Sequence, residues 1–208
     1  MSVTVITYHR AMGRWEPNAR DRLAQAALTL YAEQGFEKTT AAEIAARAGL
    51  TERTFFRHFA DKREVLFFGT EMARDLLVRA AADAPAHATP MDTVGAALQA
   101  LGALLQENPE RVRQRDAVVS ANAELREREL IKLAGLAAAM ADALRGRGVS
   151  EPAASLAAET GIAVFKVAFA RWIGEPDQPD LPEILRASME ELRNVLAERA
   201  GHHDDHVR

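Results

Sequence analysis

The sequence predicts an all-α protein: a small N-terminal head of three helices and a larger helical body, about nine helices in all. Three observations carry that reading. Alanine supplies 42 of the 208 residues. Beyond the first few residues, no stretch alternates apolar and polar as a strand does. Apolar residues instead recur at helical spacing between glycine, proline and asparagine breaks. A content of 48% hydrophobic and 27% charged residues is ordinary for a globular chain. There is no cysteine, which excludes disulfides, thiolate metal sites and cysteine nucleophiles. The longest run without an ionisable charge, Thr93 to Gln106, has 14 residues, short of the roughly 20 a helix needs to cross a bilayer. Met1 to His9 has no basic segment leading into a long apolar one, so the expectation is a cytoplasmic protein with no leader and no membrane contact.

Residues 1–17 read as an arm, and Arg10, Arg14 and Trp15 leave two readings open. One is a basic segment along a DNA minor groove; the other is a tail with Trp15 tucked onto the head. The first helix follows Pro17-Asn18, carries Leu23, Ala27, Leu30 and Tyr31 on one face, and stops at Gly35. Thr40 opens the second, with Glu43 at capping-box spacing, and it runs through Ile44 and Ala48 to Gly49. Thr51 caps the third, which bears Phe55 and Phe59 on one face. Asp61 to Glu64 is expected to open a longer fourth helix through Leu66, Met72, Leu76 and Leu77. This divides the chain into a head over 18–63, a body over 64–199 and a polar tail over 200–208.

Ala84 to Pro90 is a linker by composition. Helices are expected at about 91–106, 110–121, 123–146, 152–174 and 181–199, with breaks at Asn108-Pro109, Asn122, Gly146 to Gly148, and Gly174 to Pro182. The eighth helix is apolar on most sides between Leu156 and Trp172, which predicts burial from several directions.

Thr40 to Phe59 carries the most information. Two short helices joined at Leu50, with Gly49 where a left-handed residue is needed, describe a helix-turn-helix. Ile44, Ala48, Leu50 and Phe55 are spaced to form its core, and Ala45 permits a close helix crossing. Glu52, Arg53, Phe56 and Arg57 then face outward on the second helix, able to enter a major groove, where arginine's fork of donors matches guanine O6 and N7. Thr40, Thr51 and Thr54 lie at helix N-termini, where hydroxyls and backbone N–H groups suit phosphate oxygens. Charge divides accordingly: residues 1–63 hold ten Lys/Arg against seven Asp/Glu, and residues 64–208 hold 16 against 23.

Gly49-Leu-Thr-Glu-Arg-Thr-Phe-Phe-Arg-His-Phe-Ala-Asp-Lys62, preceded by Thr40-Ala-Ala-Glu-Ile-Ala45, resembles the DNA-binding domain of TetR-type transcriptional regulators. The run Thr-Phe-Phe-Arg-His-Phe is similar to a subgroup common among actinobacterial members. The resemblance implies that Thr40, Thr54, His58 and Lys62 anchor phosphates, and that Glu52, Arg53 and Arg57 face bases or nearby backbone. Phe56 stands where the family usually has tyrosine, so packing against sugars or a thymine methyl replaces a phosphate hydrogen bond. The bland alternatives are a His58 that caps or packs locally and a Glu52 that only pairs with a neighbouring arginine.

For the body, no phosphate-cradling glycine loop, zinc-protease motif or nucleophile elbow occurs. No enzyme activity, cofactor or metal site is therefore expected; His202 to His206 has ligand chemistry but sits on a polar chain end. A single reading helix covers only a few base pairs, so the head calls for a homodimer on a palindromic operator in double-stranded DNA. Val164, Phe165, Ala168 and Phe169 of the eighth helix, with Leu185, Met189, Leu192 and Leu196 of the ninth, are the expected interface. The resemblance implies that these pair as a four-helix bundle. It also implies an effector cavity, which Leu76, Leu98, Leu101, Leu105, Val119 and Phe165 would line, with Arg113 or Arg115 supplying a cation. Asn122-Ala-Glu-Leu-Arg-Glu-Arg-Glu-Leu-Ile-Lys-Leu133 looks like the C-terminal domain of regulators that include acyl-CoA sensors, which adds acyl-CoA to other lipophilic small molecules as an effector. The expected function is a ligand-responsive repressor. The competing reading is an all-α small-molecule-binding protein or enzyme with a vestigial helix-turn-helix.

Overall fold

The computed structural model describes residues 19–174 and 180–201, with side chains to residue 197. The expected arm over 1–17 and the His202–His206 segment lie outside the described residues. Among the described residues are nine α-helices and no strand: α1 Ala19–Gln34, α2 Ala41–Arg47, α3 Glu52–His58, α4 Thr70–Asp83, α5 Pro90–Gln106, α6 Pro109–Ala121, α7 Ala123–Gly146, α8 Ala153–Gly174 and α9 Leu181–Gly201. The breaks fall where side-chain chemistry places them. Thr89 and Asn108 each accept a hydrogen bond from a first-turn amide, at 3.1 and 3.2 Å, and Pro90 and Pro109 follow at the first helical position.

Two apolar cores result. The head core joins α1, α2 and α3 through Leu23, Ile44 and Phe55, and it takes in Val65, Leu66 and Phe67 together with Val119 of α6 and Leu125 of α7. The body core packs α4, α5, α7, α8 and α9 around Leu98, Leu101, Leu144, Trp172 and Leu185. Helices cross closely where glycine removes a side chain: a Cβ on Gly161 of α8 would come within 2.4 Å of Val94 Cγ1 on α5.

Two expectations are corrected. The fourth helix does not begin at Asp61. Asp61 Oδ1 accepts from the amides of Arg63 (2.8 Å) and Glu64 (3.0 Å), opening a 3₁₀ turn over Glu64–Phe67, and α4 starts only at Thr70. The Leu66 carbonyl, which a continuous helix would bond to the amide four residues on, accepts instead from the Arg115 guanidinium at 3.2 Å. The second correction concerns α8, which is buried on one side only. Ala154, Ala158, Val164 and Trp172 face the body, while Leu156 and Val167 are exposed. Mean hydropathy reaches 1.4 along α8, enough by length and composition for a membrane span. Its inner side is packed against α5, α7 and α9, however, and Glu159, Lys166 and Arg171 lie on its outer side.

Candidate nucleic-acid interface

The head is assembled by local hydrogen bonds written into its sequence. Thr40 caps α2: its hydroxyl accepts from the Glu43 amide (3.2 Å), and the Glu43 carboxylate accepts from the Thr40 amide and hydroxyl (2.8 Å each). Those bonds, the Thr40 amide foremost, hold the Glu43 carboxyl below its ordinary range. Gly49 turns the chain at φ +65°, and the Leu50 amide reaches back to the Ala45 carbonyl at 2.8 Å, which closes the helix end. Thr51 caps α3 by accepting from the Thr54 amide at 3.2 Å, and the two threonine hydroxyls lie 3.0 Å apart.

The short helix α3 is anchored by Phe55, fully buried and 5.6 Å from the Phe59 ring. Its outer side presents Glu52, Arg53, Phe56 and Arg57. Among the described residues, none of Glu52, Arg53 and Arg57 has a hydrogen-bond or ion-pair partner. Phe56 is 54% exposed, its ring edge-on to Phe55 at 5.3 Å. A half-exposed aromatic between two unpaired guanidiniums suits a groove floored by bases. Thr40 and Thr51 are exposed beside it, while Thr54 is half-buried.

His58 and Lys62 are placed differently from the phosphate anchors the sequence suggests. Lys62 Nζ donates to the carbonyls of Phe36 (2.8 Å), Thr39 (3.0 Å) and Glu37 (3.1 Å), and lies 4.4 Å from the Phe36 ring centroid. An ammonium has three donors, so none is left for phosphate. Lys62 instead closes the α1–α2 loop. Its own carbonyl accepts from the Tyr31 hydroxyl at 2.6 Å, and burial, then the Asp61 charge, pushes that phenol well above its usual range. His58 is half-buried, and its Nε2 is sealed from solvent without a partner, so it faces inward. Sequence reasoning missed Arg22, whose guanidinium donates to the Ala48 carbonyl and ties α1 to the helix-turn-helix corner. Spacing gave no signal for it, because an arginine beside a core leucine reads as a surface residue.

Residues 23–67 match the family model described as bacterial regulatory proteins of the tetR family. Residues 88–197, more than half of the chain, match a second model, the MftR C-terminal domain. The chain belongs to the TetR family of regulators. TcmR of Streptomyces glaucescens, a helix-turn-helix transcriptional regulator, is 37% identical over 82 residues, 39% of this chain. That match spans 36% of TcmR, about a third of its length. Among solved structures, the SmeT–triclosan complex superposes with a TM-score of 0.62 at 24% identity, covering 84% of this chain and 90% of that one. SmeT is the repressor of a multidrug efflux pump of Stenotrophomonas maltophilia. FadR of Bacillus subtilis in complex with stearoyl-CoA gives 0.58 at 18% identity, covering 82% and 95%. At these identities the structures establish the fold.

The body of this TetR-family regulator distributes the expected site residues unevenly. Leu98, Leu101 and Phe165 are close-packed in the body core with Leu105 against it, and Leu76 is half-buried. Val119 is not near them: it is fully buried in the head core, because the end of α6 inserts between α1 and α7. Arg115 is also removed from the expected cavity. It pairs with Glu129, donates to the Leu66 carbonyl and stacks 4.9 Å from the Phe67 ring centroid, so it fastens α6 and α7 to the head. Arg113 does turn toward the body, 5.3 Å from the Trp172 ring centroid; it pairs with Glu110 at 3.1 Å, and its Nε is buried without a partner.

The expected dimer residues are mostly used within the chain. Val164, Phe165, Ala168, Leu185 and Met189 are buried in the body core, and Phe169 and Leu192 pack against it. The α9 stripe faces α5, where Gly102 lets Leu185 approach. Leu196 alone of the eight is exposed, at 64%. Among the described residues, the large apolar side chains that α8 and α9 leave exposed are Leu156, Val167, Val195 and Leu196.

Proposed function

We propose that this protein is a ligand-released repressor that binds a palindromic operator as a homodimer. The observation that carries the reading is the unpaired outer side of α3, where Arg53 and Arg57 flank the exposed Phe56. Arg53 and Arg57 address base edges, while Thr40 and Thr51 address phosphates from helix N-termini. The dimer forms on the outer stripe of α8, Leu156, Thr160, Ala163 and Val167 at helical spacing, joined by Val195 and Leu196 of α9. Two such helices per chain bring four together across a two-fold axis. A chromosome-reading protein of this kind works in the cytoplasm, and the reading assigns it no catalytic step.

The effector is mainly apolar with one anionic end. Support comes from Arg113, whose buried Nε lacks a partner beside Trp172, and from the stearoyl-CoA carried by the FadR relative. Opening the core around Leu98, Leu101 and Phe165 to admit an acyl chain would move α4 and with it the spacing of the two heads. The test is a band shift on the DNA upstream of the protein's own coding sequence, over a salt series and with random duplex as control. Operator-selective, salt-sensitive retardation, reversed by acyl-CoA and less so by a neutral hydrophobe, is expected. Equal affinity for both duplexes would refute the regulator; release by neutral hydrophobes alone would refute the anionic effector.

A further inference from the structure

The outer face of α8 carries a charge pattern as well as an apolar stripe. Leu156, Ala163 and Ala170 follow one another at seven-residue intervals, with Val167 between the last two, and all four are exposed. Glu159 and Lys166 stand three residues after Leu156 and Ala163, so both lie on the same flank of that stripe. Arg171, four residues after Val167, lies on the other flank. Glu159 and Lys166 are exposed, and among the described residues neither has a hydrogen-bond or ion-pair partner. They do not serve one another within the chain. Seven residues set them about 10.5 Å apart along the axis, two turns where an ion pair on one helix spans one.

A two-fold axis turns this pattern into complementarity. When two copies of one helix pack antiparallel about an axis perpendicular to both, each flank meets the same flank of its copy with the order reversed. The midpoint of Glu159 and Lys166 falls beside Ala163, which is also the midpoint of Leu156 and Ala170. An axis at Ala163 therefore sets Leu156 against the small Ala170 of the copy, and on the flank it sets acid against base twice. Alanine at the crossing leaves room for a close approach, near the lower end of the usual separation of about 8–10 Å. In a parallel pair opposite flanks meet, which would put Lys166 on the side of Arg171. On α9 the exposed large apolar groups are confined to Val195 and Leu196 near its end, so the long stripe of α8 finds its match in a second α8.

We propose that two copies meet α8 against α8, antiparallel about a two-fold axis at Ala163, with Glu159 of each chain paired to Lys166 of the partner subunit. Resting on the α8 dimer reading above, this register adds selectivity: the chain accepts a copy of itself and repels a related chain with like charges at these two positions.

The experiment uses the full chain, with an affinity tag on one of two mixed copies. Glu159→Lys and Lys166→Glu each turn both attractive pairs into repulsive ones. Each variant's dimer should dissociate about tenfold more readily than wild type in sedimentation at low salt. Mixed together, the two should form a tagged–untagged heterodimer of near wild-type affinity, because every pair is again acid against base. The wild-type dimer should weaken as sodium chloride rises, and Glu159→Gln with Lys166→Gln should lose that dependence. This neutral variant decides the matter if a reversed one fails to fold. A statistical mixture of homodimers and heterodimers, or one salt response shared by wild type and the neutral variant, overturns the register and leaves the α8 dimer standing. A wild type that sediments as a monomer at micromolar concentration removes the α8 dimer and the register together.

Discussion

Arg53 ends in solvent without a partner among the described residues, whereas Lys62 gives all three of its donors to carbonyls of the α1–α2 loop. The two cations should therefore fail differently when removed. Arg53→Ala is expected to cost on the order of 1–3 kcal/mol of operator binding while sparing random duplex. Equal loss on both, measured by fluorescence anisotropy, would mean that it touches only backbone. Lys62→Met should instead destabilise the head by about 1.5–3 kcal/mol, the range for hydrogen bonds to a charged group, visible in urea melts. The salt slope of DNA binding by the folded variant should be unchanged. A flatter slope with unaltered stability would return Lys62 to the phosphates.

Helix contacts give two further expectations. Gly161 of α8 sits where a Cβ would strike Val94 Cγ1 at 2.4 Å, and valine's branched side chain cannot swing away. Gly161→Ala gains about 1 kcal/mol of helix propensity. It should still lose stability overall, since overpacking costs about 1–3 kcal/mol. The double variant with Val94→Ala should recover part of the loss in thermal melts; additive losses would show that the crossing is not the cause. At the α6–α7 corner, burial and then the neighbouring Glu129 carboxylate raise Asp116 above its ordinary range. Its ionised form is less favoured in the folded chain than in the unfolded one. Asp116 thus weakens the fold at neutral pH and ceases to do so once pH falls below the unfolded value of about 4. Asp116→Asn should melt higher than wild type at pH 7, with the advantage vanishing near pH 3.5. A constant difference across that range would contradict the assignment.

Across the whole molecule, the head is fastened to the body by charge as well as by the chain. Arg63 pairs with Glu124 and Glu64 with Arg128 and Lys132, while Arg115, held by Glu129 within the body, donates to the Leu66 carbonyl. Val119 and Leu125 complete the head core from α6 and α7. Head and body are therefore joined at the α6–α7 corner as well as by the chain leading into α4. The outer α8 stripe makes a separable prediction about assembly. Leu156→Glu with Val167→Glu should give folded monomers by sedimentation, with a near-native melting temperature and little operator affinity, because both side chains are exposed in the single chain. Leu185→Glu should unfold the body instead, because Leu185 is fully buried. A dimer surviving the α8 double variant would place the interface elsewhere.

The sequence by itself determined what is local: helix starts at Thr40 and Thr51, the break at Asn108-Pro109, the left-handed Gly49, and the outward spacing of Arg53, Phe56 and Arg57. Caps and turns act over three or four residues, and periodicity reports one face, so these were legible before any fold was known. Only the tertiary structure decided which apolar stripe faces inward. The α9 stripe is consumed by α5 through Gly102, leaving the outer side of α8 uncovered. It also decided what each cation serves. Lys62, Arg115 and Arg22 look like surface charges in sequence, yet each is held by groups distant along the chain: Lys62 and Arg22 by carbonyls at Phe36 and Ala48, Arg115 by the Leu66 carbonyl and the Glu129 carboxylate. Such partners are brought close only by packing, and a long flexible side chain carries no mark in the sequence of where its charged end will lie.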